Sequence, residues 1–335
     1  MPISVRAARG LLKSGVREFS RVEPFLPQSA YNAALHRFAK LVAGLTFVLI
    51  AAGALVTSND AGLAVPDWPT SFGSLWRIPR MVGGVKFEHG HRMLAEFVGL
   101  LTIVLAIWIW RQDARRWMKW LGVSALGVVI AQGVLGGLTV LFYLPWWISS
   151  AHATLAQSFF CIVVSIALFT SRGWLETEPA RLSESSSPSL RSLSLLCVAA
   201  ILIQLVLGAA FRHSGIKLLP HLISAAVVTV LLIWTSSRVL TNHAMPRSVR
   251  RPASFLLGFL LLQLCLGLAS YLTRVQWGAD AAQPQLAMVV STVSHVIVGA
   301  LLLATSVVLA IESRKHLAPF SKTAHDESLE KAVTA

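Results

Sequence analysis

Four of the ten histidines in this 335-residue chain, His91, His152, His221 and His295, occupy the same place in the hydropathy pattern. Each opens an apolar run of about 20 residues, long enough to cross a hydrocarbon core as a helix. Ligating or ionisable groups inside such a helix are costly, and their usual return is function. A lone histidine there reads equally well as an interfacial side chain bonded to a carbonyl; four in register read as ligands. Imidazole suits iron, copper and zinc. A bare ion would want carboxylate or thiolate partners as well, and only one acid stands beside these histidines. Two imidazoles facing each other across a four-helix bundle make a cage for haem, one axial ligand from each side. The expected pairs are His91 with His152 and His221 with His295.

The single acid is Glu88, in Glu88-His89-Gly90-His91-Arg92. On a helix it shares a face with His91, one turn toward the outside. The corresponding place in the second half is Leu218. Two histidines plus a carboxylate suggest a reaction site in the N-terminal half; two histidines alone suggest a resident electron-transfer haem in the C-terminal half. The plain alternative for Glu88 is an acid favoured at a helix N-terminus by the macrodipole.

The composition requires a membrane to position these groups. Apolar residues make up 55% of the chain and charged ones 13%, with a mean hydropathy of +0.66. Soluble domains carry about 25% charged residues. The pattern predicts an all-α integral membrane protein with spans near 35–57, 91–110, 117–142, 148–171, 192–212, 218–238, 253–273 and 286–311. No period-2 alternation argues for a barrel. The net charge of +14 does not point to nucleic acid, because the basic residues cluster in short segments between spans. With eight spans both termini share a side, and 22 of the 29 basic residues fall there. The positive-inside rule makes that side cytoplasmic. The N-terminal arm, 1–34, has no apolar h-region or cleavage site and does not read as a secretory signal. Cys161, Cys197 and Cys265 all lie within apolar runs, away from loop disulfides.

The order is thus a cytoplasmic arm (1–34), a four-helix half (35–171) with a long external loop (59–90), and a Ser- and Glu-rich linker (172–191). A second four-helix half (192–311) and a cytoplasmic tail (312–335) complete it. The halves echo each other. Gly53-Ala54-Leu55-Val56 matches Gly208-Ala209-Ala210-Phe211, and Gln132-Gly133-Val134-Leu135-Gly136 matches Gln263-Leu264-Cys265-Leu266-Gly267. With the histidines in register, these predict two pseudo-equivalent bundles related as parallel repeats.

Taken together, these residues resemble the heme A synthase family, membrane enzymes of cytochrome oxidase assembly. The likeness runs over 35–312. It rests on Gly62-Leu63-Ala64-Val65-Pro66-Asp67-Trp68-Pro69 ahead of Glu88 to Arg92, the 132–137 stretch and the four histidines. The resemblance implies oxidation of the C8 methyl of heme O to the formyl of heme A, with oxygen from water. It implies that His91 and His152 flank the substrate heme, that Glu88 is the catalytic acid, and that His221 and His295 hold the iron of an accessory haem b. Heme O synthase would supply the substrate and cytochrome oxidase receive the product, in a bacterial-type plasma membrane. The electron acceptor stays unassigned, and an oligomer of identical chains stays open. The chain departs from many bacterial members in lacking a cysteine pair in the first external loop, which reads Pro69-Thr70-Ser71-Phe72-Gly73. His89 stands where an aromatic or aliphatic residue is usual, as either a proton relay to Glu88 or an exposed loop residue.

Beside the haem edge, Glu88 reads either as a general base with a raised pKa or as an electrostatic stabiliser of positive charge at the methyl carbon. Arg92 and Arg212, with His213 and Lys217 nearby, are candidate propionate contacts or simple interfacial anchors. Asp67 and Trp68 are expected to cap the first site, Trp146 and Trp147 to join the aromatic belt, and Glu96 to bond an adjacent helix. Two other classes compete. A dihaem b-type electron carrier needs the histidines but neither Glu88 nor the Pro-Asp-Trp-Pro loop. A transporter with parallel repeats needs charged or unwound midplane helices at matched positions, which these spans lack.

Overall fold

The computed structural model describes residues 30–184, 186–278 and 284–318, so most of the basic arm and the tail lie outside the described residues. Among the described residues, eight helices are long and apolar enough to span a membrane. They are α1 (Ala33–Ser58), α2 (Val85–Gln112), α3 (Arg116–Leu141), α4 (Trp146–Phe169), α6 (Leu190–Arg212), α7 (Leu219–Thr241), α8 (Arg247–Tyr271) and α9 (Leu286–His316). A short helix, α5 (Arg172–Glu176), follows α4, and one π-turn (Leu272–Gln276) extends α8. Among the described residues no β-strand forms; pairing is limited to isolated bridges, Ser71 with Ser74 and Leu182 with Leu317.

Local chemistry sets the helix starts. The Asn32 side chain accepts from the amides of Ala34 and Leu35 at the start of α1, and Ser189 accepts from Ser192 at the start of α6. Such caps each contribute about 1 kcal/mol. Proline precedes α4 and α8, at Pro145 and Pro246. Inside the spans, hydroxyls bond back to their own helix: Ser150 to the Trp146 carbonyl, Thr154 to Ser150, Ser158 to Thr154. Each of these hydroxyls thus has a partner within its own helix.

Two closed rings of helices result. In the first, α1 packs on α2, α2 on α3, α3 on α4, and α4 on α1; in the second, α6, α7, α8 and α9 repeat that circuit. The rings join through α1 against α9, α4 against α6, and α4 against α9. These four helices form the centre of the molecule, with Phe159, Ile166, Leu193 and Leu309 fully buried. The outer helices turn Leu100, Ile103, Val230 and Leu261 outward, as lipid-facing surfaces require.

The spans lie where the sequence places them, with one consequential shift. Helix α2 begins at Val85, six residues before His91, so Glu88 and His89 are helical and the external loop ends at 84. At the other end α9 continues through His316.

Candidate active site

Each of the four histidines rests on a glycine of the preceding spanning helix. A Cβ built on Gly53 would lie 3.1 Å from Cε1 of His91; on Gly136, 3.0 Å from His152; on Gly208, 2.8 Å from His221; on Gly267, 3.1 Å from His295. The same ring edge meets the same kind of residue in all four helix pairs. A missing side chain on the odd helix is what admits an imidazole between tightly packed spans. In three of the pairs a glutamine four residues before the glycine holds the ring. Gln132, Gln204 and Gln263 place their amide nitrogens 3.4, 3.3 and 3.3 Å from Nε2 of His152, His221 and His295. The fourth pair has Leu49 at that position. The buried Nδ1 of each histidine lacks a partner in hydrogen-bond geometry. The backbone carbonyls of Leu49, Gln132, Gln204 and Gln263 supply the electrostatic contact for the four rings. A carbonyl behind one ring nitrogen favours the tautomer that leaves the other without a proton, able to accept the glutamine amide where one is present or to ligate a metal.

One expected pair comes together closely. His221 and His295 have ring centroids 6.5 Å apart at 73°. Two imidazole–metal bonds of about 2 Å, plus the ring radii, span roughly 6 Å, so one metal atom fits between them. His91 lies within electrostatic reach of His152. Among the described residues no group of three His, Cys, Asp or Glu gathers to hold a bare ion. Two-nitrogen sites of this kind suit a macrocycle that brings its own equatorial ligands.

Glu88 is buried at 4% exposure and doubly engaged. Its Oε2 accepts from the Val65 amide at 2.8 Å, and its Oε1 accepts from Arg92 Nη2 at 2.6 Å. Arg92 reaches further into the loop, donating to the carbonyls of Asp67 (2.7 Å), Thr70 (3.1 Å) and Val65 (3.2 Å). Its guanidinium thus serves both the loop and Glu88. Asp67 organises the turn that follows, accepting from the amides of Phe72 and Gly73, both at 2.7 Å, and from the Thr70 hydroxyl. Burial alone would raise the Asp67 carboxyl, but the Thr70 hydroxyl and the two amides hold it below its ordinary value of 3.8. The Trp68 indole lies against Gly137 of α3, so the loop crosses the mouth of the first bundle as a cap. His89 is bonded to Ser71 at 3.1 Å, inside the same loop.

A second polar cluster stands where the two halves meet. Arg212 donates to the Thr57 carbonyl at 2.7 Å, tying the end of α6 to the end of α1. Arg274 lies within electrostatic reach of Arg212, and Asp60 is the counter-charge to both. Next to them His213 is pushed down to about 4 by burial and by the charges of Arg212, His152 and Arg274. Lys217 is exposed. Sequence reading missed Arg274 and Gln204. The Gln-x-x-x-Gly spacing at 132/136, 204/208 and 263/267 was the available signal for the second. Trp146 is half-exposed and packs over Gly215 of the other half, while Trp147 is 60% exposed. Glu96 departs from expectation: it is exposed on α2 and reaches no adjacent helix.

Comparison with known proteins finds a family model described as cytochrome oxidase assembly protein, matching residues 85–218. That stretch holds Glu88, His91 and His152 and ends short of His221. Among curated proteins, the chain is 31% identical over 139 residues to the heme A synthase of Halalkalibacterium halodurans, covering 40% of this chain and 44% of that protein. It is 27% identical over 244 residues to the heme A synthase of Symbiobacterium thermophilum, covering 64% and 78%. It is 23% identical over 306 residues to that of Geobacillus kaustophilus, covering 84% and 92%. Against the first of these the match spans less than half the relative's length.

Proposed function

We propose, from the likeness to the cytochrome oxidase assembly protein model and to heme A synthases, that the chain is a member of the heme A synthase family and oxidises the C8 methyl of heme O to the formyl of heme A. Water supplies the oxygen, and hydrogen leaves the methyl carbon as protons and electrons. The observation that carries this reading is the unequal furnishing of two similar histidine pairs: one has a buried carboxylate under a structured loop, the other has neither.

His91 and His152 bind the substrate iron between α2 and α4, and the glycine seats fix the direction of each ring. Glu88 sits one helical turn above His91. Its two donors, the Arg92 guanidinium and the Val65 amide, are partners for a negative carboxylate. In that state it stabilises positive charge developing at the reacting carbon, which favours the electrostatic role. Arg92 positions Glu88 and closes the loop; Trp68 and Asp67 keep bulk water from the first bundle. His221 and His295 hold a haem b, which supplies one-electron redox chemistry when bound. Arg212 and Arg274 offer cations for its propionates. Heme O synthase provides the substrate and cytochrome oxidase takes up the product. In this reading the protein sits in a bacterial-type plasma membrane with both termini cytoplasmic, which the distribution of basic residues supports.

Haem extraction and mass analysis after expression with a source of heme O tests the proposal. The unaltered chain should accumulate heme A, and Glu88→Gln should retain haem b while heme A falls by about 10²-fold or more. Haem b with no heme A from the unaltered chain would instead identify an electron carrier.

A further inference from the structure

At the ends of the spans opposite the histidine seats, the α7–α8 turn and the first turns of α8 line an open, concave pocket of about 440 Å³. Its lining includes His243, Arg247, Arg250, Arg251, Ser254 and Phe255. Among the described residues no carboxylate pairs with any of these three guanidinium groups. The surrounding charges are handled differently. In the matching α2–α3 turn, Arg115 is paired with Asp113 at 2.6 Å; at the end of α7, Arg238 is paired with Glu184 at 2.7 Å. Three arginines around one concave space, without a carboxylate partner among the described residues, favour an anion that joins them.

The level of the cavity names the anion. Ala253 and Leu256 of α8 are buried just beyond it, and Phe255, 60% exposed, faces outward into the hydrocarbon layer. The cavity therefore lies at headgroup depth, with an apolar wall leading from it toward the acyl chains. We propose that it binds the phosphodiester headgroup of an anionic phospholipid. The planar guanidinium forks match phosphate oxygens, and the Phe255 face lies along the first methylenes of an acyl chain. Basic pockets at the ends of membrane helices recognise anionic lipid in this way.

Native mass spectrometry of the full-length protein, equilibrated with mixed phosphatidylglycerol and phosphatidylcholine, reads this directly. The unaltered chain should retain phosphatidylglycerol over phosphatidylcholine by about tenfold or more. R247Q/R250Q/R251Q should abolish that preference. Because loss of positive charge can disturb insertion, R247K/R250K/R251K is the second variant: it keeps the charge, loses the fork, and should lower the preference about threefold. Equal retention of both lipids by the unaltered chain overturns the proposal, as does an unchanged preference in either variant. Displacement of the lipid by inorganic phosphate at equal phosphate concentration also overturns it, since a free-phosphate site needs no acyl wall. None of these readouts depends on haem chemistry.

Discussion

At the scale of single residues, the glycine seats carry the sharpest expectations. A methyl group on Gly208 would stand 2.8 Å from the His221 ring, and such overpacking costs about 1–3 kcal/mol. Gly208→Ala should therefore reduce haem b content by roughly tenfold, measured by haem extraction. Gly133→Ala on α3 meets nothing within 4 Å and should leave the content unchanged. Leu49 gives a complementary test. A glutamine amide donating to Nε2 competes with iron for that nitrogen, and a hydrogen bond is worth about 1 kcal/mol net. Leu49→Gln should thus weaken binding at the His91 site by about fivefold, read by haem titration. The histidines themselves were legible in the sequence, because a ligand at the head of an apolar run breaks the run's own rule. Their seats were not: a glycine's partner belongs to tertiary packing, and small residues occur throughout membrane helices.

At the scale of the element, the external loop acts with α2 as one unit. Arg92 gathers three loop carbonyls and Glu88, so its loss should loosen the cap and release the carboxylate together. Arg92→Leu should lower heme A formation by about 10²-fold and expose the 59–84 loop to protease. Arg92→Lys should restore part of each, since one ammonium cannot reach all four acceptors. The turn built on Asp67 has a pH dependence of known sign. Its carboxyl is held below 3.8 in the fold, so its stabilisation is present above that value and lost as pH falls through the lowered one. Protease sensitivity of the loop should rise on that acid limb and be independent of pH in Asp67→Asn. Helix starts were the poorest reading from sequence: Glu88 and His89 look like loop residues by polarity, yet the bonds to Val65, Arg92 and Ser71 allow α2 to begin at Val85. Glu96 was read as a buried hydrogen-bonding group from its place within a span; the orientation of its face depends on neighbours that periodicity does not specify.

For the whole molecule, eight spans and their order followed from length and apolarity alone. The seam between the halves did not, because it joins residues far apart in the chain, such as Arg212 and Thr57. His213 makes that seam sensitive to acid. It is held neutral by burial and by the charges of Arg212, His152 and Arg274, its pKa lowered from 6.5 to about 4. The unfolded chain binds the proton first, so stability should decline as pH falls from 6.5 toward 4. His213→Asn should lessen the pH dependence of thermal melting across that window without abolishing it.

The segment between the halves is fastened along its length. Ala180 donates its amide to His316 Nδ1 at 3.1 Å, Leu182 exchanges backbone bonds with His316 and Ala318, and Arg238 clasps Glu184. Continuity of the chain is therefore not what keeps the halves in register. Nicked at Thr177, the protein should still migrate as a single particle, and two separately encoded fragments should find each other in the bilayer. A gene of this design could be split by evolution, or by hand, without forfeiting the assembled product.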